Sequence, residues 1–182
     1  STVCRIFATL GIPIYDADSR AKQLMLESPL KEQIIAAFGP EAYLPHGELN
    51  RTHLSQVVFG NQELLTVLNR LVHPAVARDA QQWHQNQDLV PYTLQEAALL
   101  VESGSYKLLD QLIVVIAPEV LRLTRVVARD QVTREAALAR MEKQLPEEQK
   151  MALAHFVIQN DGETALIPQV WHIHQELLRQ AT

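Results

Sequence analysis

Leu112-Ile113-Val114-Val115-Ile116 is an unbroken apolar run in which every residue after the leucine is β-branched. Such a run predicts a strand buried on both faces, as in a parallel sheet, rather than the alternating strand of a half-solvated antiparallel one. Outward from it, weaker strand patterns occur at 90–95 and at Phe156-Val157-Ile158, and a short one, Ile12-Pro13-Ile14-Tyr15, lies far upstream. The intervals exceed any hairpin and carry helical patterns, so the connections must be crossovers. The expected class is α/β, a largely parallel sheet flanked by helices.

The helical patterns are explicit. Val3, Ile6, Phe7 and Leu10 recur at three- and four-residue spacing and end at Gly11, a left-handed stop. Ser28-Pro29 reads as an N-cap and first helical residue for a helix running to Phe38, before Gly39. A loop is expected over 40–50 and a helix over 51–59. After Asn61, Leu64, Leu65, Leu68 and Leu71 form an apolar stripe, and a separate helix is expected from Pro74 to about Asn86, with His73-Pro74 as the junction. This long helical stretch holds no strand signal and reads as an insertion into the α/β core.

The composition narrows the function classes. With 182 residues, 47% apolar and 20% charged, the chain is neither disordered nor fibrous. The apolar stretch 112–117 falls far short of the roughly 20 residues that cross a bilayer, so no membrane partner is expected. A single cysteine, Cys4, excludes an internal disulfide and a cysteine-based zinc site, which fits a reducing, cytoplasmic compartment. A net charge of −5 lacks the basic character of a non-specific nucleic-acid binder.

Two constellations carry chemistry. Asp16 and Asp18 come after the short strand at i and i+2; they share a face if the strand persists, and one caps the next helix if the chain turns. The carboxyl end of a strand in an open α/β sheet is the ligand-facing end. Arg122, Arg125, Arg129, Arg134 and Arg140 fall within nineteen residues, and the first three share one helical face. Guanidinium forks there suit bidentate capture of phosphate, while the apolar residues between them also fit an ordinary solvated, salt-bridged face. Glu96 closes the expected strand at 90–95 and is a plausible outer ligand for Mg²⁺. Glu102 comes after the apolar stretch 97–101.

Taken in order, these residues resemble the dephospho-coenzyme A kinase family over essentially the whole chain. Ser1-Thr-Val-Cys-Arg-Ile-Phe7 looks like the segment directly after Gly-Lys in that family's phosphate loop, and Gly11-Ile-Pro-Ile-Tyr-Asp-Ala-Asp18 resembles its strand ending in Asp-Ala-Asp. His46-Gly-Glu-Leu-Asn-Arg51 resembles its Asp-Gly-x-Leu-Asp-Arg turn, Leu71-Val-His73-Pro74 its Leu-x-His-Pro segment, and Glu96-Ala-Ala-Leu-Leu-Val-Glu102 its Asp-x-Pro-Leu-Leu-Phe-Glu. Ala128-Arg129-Asp130, Arg140-Met-Glu-Lys-Gln144 and Asn160-Asp161-Gly162 match later segments. Glu96 stands where many members have Asp, and Ala98 where many have Pro. No Gly-x-x-x-x-Gly-Lys occurs, and Ser1 would be the residue just after that Lys. A first strand and loop would need about 15–20 upstream residues. The chain is therefore expected to be amino-terminally incomplete, and these residues alone to be inactive.

The resemblance implies a P-loop NTPase-like core with a helical substrate lobe and a small helical lid: core at 1–18, 88–124 and 151–182, lobe at 19–87, lid at 125–150 with Leu145-Pro146 as its return hinge. It implies ATP-dependent phosphorylation of the ribose 3′-hydroxyl of dephospho-coenzyme A, the last step of coenzyme A biosynthesis. Asp16 would be the base and Arg129 the transition-state contact. Ser1, Thr2, Arg125, Arg140, Asn160 and Gly162 would bind ATP, and Asp18, His73, Arg78 and Glu102 the substrate. Ser1 and Glu96 would serve Mg²⁺. The expected partners are ATP and dephospho-coenzyme A, with no nucleic acid and no membrane; no motif speaks to oligomeric state. The competing expectations are a nucleoside-monophosphate-type kinase and a catalytically dead nucleotide-binding regulatory domain.

Overall fold

A computed structural model describes residues 1–181. The chain divides into two compact units, one of Ser1–Ile12 with Ala98–Thr182 and the other Pro13–Ala97. Residues 13–18 and 88–97, expected in the nucleotide-binding core, thus cluster with the helical segment between them.

Within Pro13–Ala97, strand β1 (Ile14–Asp16) pairs in parallel with β2 (Leu94–Glu96). β2 is shorter and later than the expected 90–95, because Pro91 lacks the N–H that a ladder needs. Between the strands run α2 (Ala17–Leu24), α3 (Leu30–Phe38), α4 (Arg51–Val58) and α5 (Gln62–Gln85). Helix α3 starts one residue later than expected: Pro29 occupies the cap position without a side-chain cap, and the Ser28 hydroxyl donates instead to Glu32 at 2.7 Å.

Helix α5 corrects a second expectation. It is one 24-residue helix with Pro74 inside it, not two helices meeting at His73-Pro74. Pro74 forfeits one backbone hydrogen bond. The apolar stripe runs past it, however, with Leu64, Leu68, Leu71, Val72 and Ala75 all packed on the buried cluster of Leu30, Ile34, Phe38 and Leu54. Burying each large apolar side chain contributes about 1.5–3 kcal/mol, enough together to carry the helix through the proline.

In the other unit, β3 (Ile113–Ile116) pairs in parallel with β4 (Phe156–Gln159). The described strands therefore form two separate parallel pairs rather than one continuous ladder. The β3 to β4 crossover consists of α6 (Glu119–Asp130), α7 (Arg134–Met141) and α8 (Glu147–Leu153). Helices α1 (Thr2–Thr9) and α9 (Leu166–Gln180) pack together, burying Val3 and Phe7 on one and Val170, Ile173 and Leu177 on the other. Arg125, expected to open the lid, lies inside α6; the first break comes at Gln131, in the left-handed region at φ +52°.

Candidate active site

The carboxyl ends of β1 and β2 bring two acids together. Asp16 and Glu96 are the last residues of their strands and direct partners in the parallel register. Neighbouring strands lie about 4.8 Å apart, and residues in register present their side chains to the same face.

At Asp16 the strand gives way at once to helix. Asp16 caps α2, accepting from the Ser19 N–H at 3.0 Å and the Ser19 hydroxyl at 2.8 Å. Asp18 consequently lies in the exposed first turn of α2, not on a continued strand face. Partial burial pushes the Asp16 carboxyl up, but the two Ser19 bonds together with nearby positive charge, Lys22 included, hold the group below the usual carboxylate range. An ionised carboxylate offers about four acceptor positions, so Ser19 leaves room for a further donor. His73 and Arg78 are exposed on α5, five residues apart. At 3.6 residues per turn that spacing turns them roughly 140° from each other, so one ligand group on one helix face does not meet both.

The unit containing α6 holds the arginines. Arg125 donates to the Asn160 backbone carbonyl at 2.9 Å, joining two residues expected at the nucleotide. The turn after Asn160 is fixed by Asp161, which accepts from the Glu163 and Thr164 N–H groups and the Thr164 hydroxyl. Those bonds hold its carboxyl below the ordinary value. Gly162 sits at φ +92°, a conformation that L side chains rarely adopt.

Arg129 and Arg140 meet on one carboxylate, Asp130. Arg129 reaches it through Nε at 2.7 Å and Nη2 at 3.2 Å, and Arg140 through Nη1 at 3.1 Å. Both arginine side chains stay more than half exposed, at 74% and 58%, and so remain within reach of an incoming anion. Arg122 pairs with Glu147 at 3.2 Å. The sequence signal for Asp130 is an acid set directly after the third arginine of the helical face; its role as a shared anchor for two arginines shows only in the fold.

Glu102, expected at the substrate, is committed inside its own unit. It accepts from Lys150 Nζ at 2.6 Å and from the Leu145 N–H at 3.0 Å, with both side chains of the ion pair only about 15% exposed. Burial pushes its carboxyl up, and Lys150 and the backbone N–H bonds bring it below the ordinary range. Nothing in the local sequence around Glu102 announces a lysine almost fifty positions away.

At the start of α1, the Ser1 hydroxyl accepts from the Cys4 N–H at 3.3 Å and Thr2 is the first helical residue. Among the described residues no group of three or more His, Cys, Asp or Glu could hold a metal ion. No described helix is long and apolar enough to cross a membrane.

Parallel strands joined by helical crossovers and flanked by helices define an α/β fold, and the comparisons place it in the P-loop NTPase class. A family model described as dephospho-CoA kinase matches residues 1–165. A dephospho-CoA kinase of Chlorobium chlorochromatii is 43% identical, over 100% of this chain and 89% of that protein, and one of Bacteroides fragilis is 33% identical over 93% and 83%. Among solved structures, TT1252 from Thermus thermophilus superposes with a TM-score of 0.83 at 31% identity, covering 100% of this chain and 91% of the other. The dephospho-CoA kinase from Campylobacter jejuni superposes at 0.71 and 28%, covering 100% and 92%. The chain belongs to the dephospho-CoA kinase family, whose reaction is the last step of coenzyme A biosynthesis.

Proposed function

We propose that Asp16 is the general base of this reaction: it takes the proton of the ribose 3′-hydroxyl of dephospho-coenzyme A as that oxygen attacks the γ-phosphorus of ATP. The observation that carries the reading is an exposed carboxylate at the carboxyl end of a parallel strand, kept ionised by Ser19 and retaining acceptor positions for a further donor. Asp18, two residues further on, orients the substrate.

Phosphoryl transfer asks for in-line positioning and for positive charge around the equatorial oxygens. Arg129 supplies that charge in the transition state, with Arg125 and Arg140 on the ATP phosphates. Support comes from Asp130, which aligns Arg129 and Arg140 while leaving both exposed. Asn160 and Gly162 border the adenine, and Thr2 lies beside Ser1 at the phosphates. Residues 125–150 act as a lid that excludes water, so that hydrolysis does not compete with transfer. Residues 19–87 form the lobe for dephospho-coenzyme A, with His73 and Arg78 contacting separate parts of it.

The oxygen donors Ser1 and Glu96 suit Mg²⁺, a hard cation that keeps several waters and takes few protein ligands beside substrate phosphates. Bound there, the ion would neutralise charge on the β- and γ-phosphate oxygens. The reaction is assigned to the cytoplasm.

The test is an acceptor panel. The natural protein is incubated with ATP and Mg²⁺ and with dephospho-coenzyme A, AMP or adenosine, and products are followed by mass spectrometry. Coenzyme A as the sole phosphorylated product is the expected result. Phosphorylation of AMP in its place, or ATP binding without transfer, contradicts the proposal.

A further inference from the structure

Helix α5 carries an acid that the reaction does not call for and that nonetheless touches both flanks of Asp16. Tyr15, immediately before Asp16, is buried to 2% exposure, and its hydroxyl donates to Asp79 at 2.6 Å. Arg20, four residues after Asp16 and so one turn into the helix that Asp16 caps, grips the same carboxylate with Nε at 2.8 Å and Nη2 at 2.5 Å. Arg20 Nη1 is also tied back to Gln23 at 2.7 Å. The Tyr15 ring packs against Trp83, with centroids 5.5 Å apart, and shares a buried cluster with Ala17 and Ala80.

We propose that Asp79 is a positioning residue for the kinase reaction, fixing the end of β1 through Tyr15 and the first turns of α2 through Arg20, and so holding Asp16 in its reactive orientation. The inference rests on Asp16 being the base. A strand that ends in three residues and turns directly into a helix has little of its own to hold its last side chain. Two charge-assisted bonds and one phenol bond converging on one α5 carboxylate supply the missing constraint. The Arg20 hydrogen bonds hold the Asp79 carboxyl below its ordinary range, which favours the ionised acceptor that both partners need. Catalytic groups displaced by about 1 Å lose roughly 100-fold in rate, so the constraint acts on turnover more than on affinity.

The test compares Asp79→Asn and Tyr15→Phe in the natural enzyme and again in an Asp16→Asn background, measuring kcat and both KM values for coenzyme A formation. In the enzyme with Asp16, each variant is expected to lower kcat about 10- to 100-fold with KM values held within about twofold. In the Asp16→Asn background the same substitutions are expected to cost nothing further, because the group they position is gone. Unchanged kcat, an effect confined to KM, or an equal loss in both backgrounds overturns the proposal. Full activity in Asp16→Asn alone refutes the base assignment itself, which separates the two failures. Should Asp79→Asn not fold, Tyr15→Phe, which keeps the buried ring and removes only the hydroxyl, carries the comparison.

Discussion

Asp16 and Glu96 are register partners at the carboxyl ends of two adjacent parallel strands. Their surroundings differ: Asp16 is turned into the first turn of α2 and bonded to Ser19, while Glu96 ends a strand that leads into non-helical chain. That difference supports a division of labour, base at Asp16 and metal support at Glu96.

Glu96→Gln tests the division. Losing one negative oxygen at an outer position is expected to raise the Mg²⁺ concentration for half-maximal rate several-fold, on the order of 1 kcal/mol, with kcat at saturating Mg²⁺ nearly retained. A Mg²⁺ titration of coenzyme A formation checks it. An unaltered titration curve removes Glu96 from the metal assignment.

Asp130 binds two guanidinium groups that are proposed to act on phosphate. Arg129→Ala is expected to lower kcat by roughly 100- to 1,000-fold, the cost of removing one electrostatic donor at a transition state. Arg129→Lys should recover little of it, because a point charge does not reproduce the planar fork. Asp130→Ala leaves both arginines in place but unaligned, and is expected to fall between wild type and Arg129→Ala in steady-state assays.

The Glu102–Lys150 pair makes stability depend on pH. The Glu102 carboxyl is held below its ordinary value of 4.5 in the folded chain. A depressed carboxylate stabilises above the unfolded value and loses that contribution as pH falls through the folded one. The wild type is therefore expected to be more stable than Glu102→Gln by about 2 kcal/mol near neutrality, the gap closing as pH drops below 4.5. Thermal melts of both proteins from neutrality to well below pH 4.5 read it directly.

Gln131 ends α6 at φ +52°, where glycine is the ordinary occupant. Gln131→Gly removes a left-handed penalty and is expected to stabilise the protein by about 1 kcal/mol, with the entropy of an added glycine setting the upper limit. Denaturant unfolding measures the difference.

Much of this was legible in the sequence, and the parts that were not share a cause. The β-branched run at 112–116 located β3 because that signal is local, while the Asp-Ala-Asp stretch left strand and helix cap both open until the structure showed Asp16 capping α2. Pro74 misled for the same reason: its local chemistry says break, and only the leucines of α3 and α4 packing across it explain why α5 continues. The Glu102–Lys150 ion pair has no local signal, because folding alone brings Lys150 to it. Asp79 gave no signal at all, since an acid on a helix surface acquires meaning only when Tyr15 and Arg20 converge on it.

The central claim is that Asp16 takes the proton of the acceptor hydroxyl, and the most direct measurement is kcat for coenzyme A formation by the natural enzyme and its Asp16→Asn variant. Asparagine keeps the helix cap and so the fold, which thermal melting checks in the same samples. The account predicts a loss of about 100- to 10,000-fold in kcat at unchanged melting temperature, the usual worth of a general base. An Asp16→Asn enzyme that forms coenzyme A at the wild-type rate would contradict it.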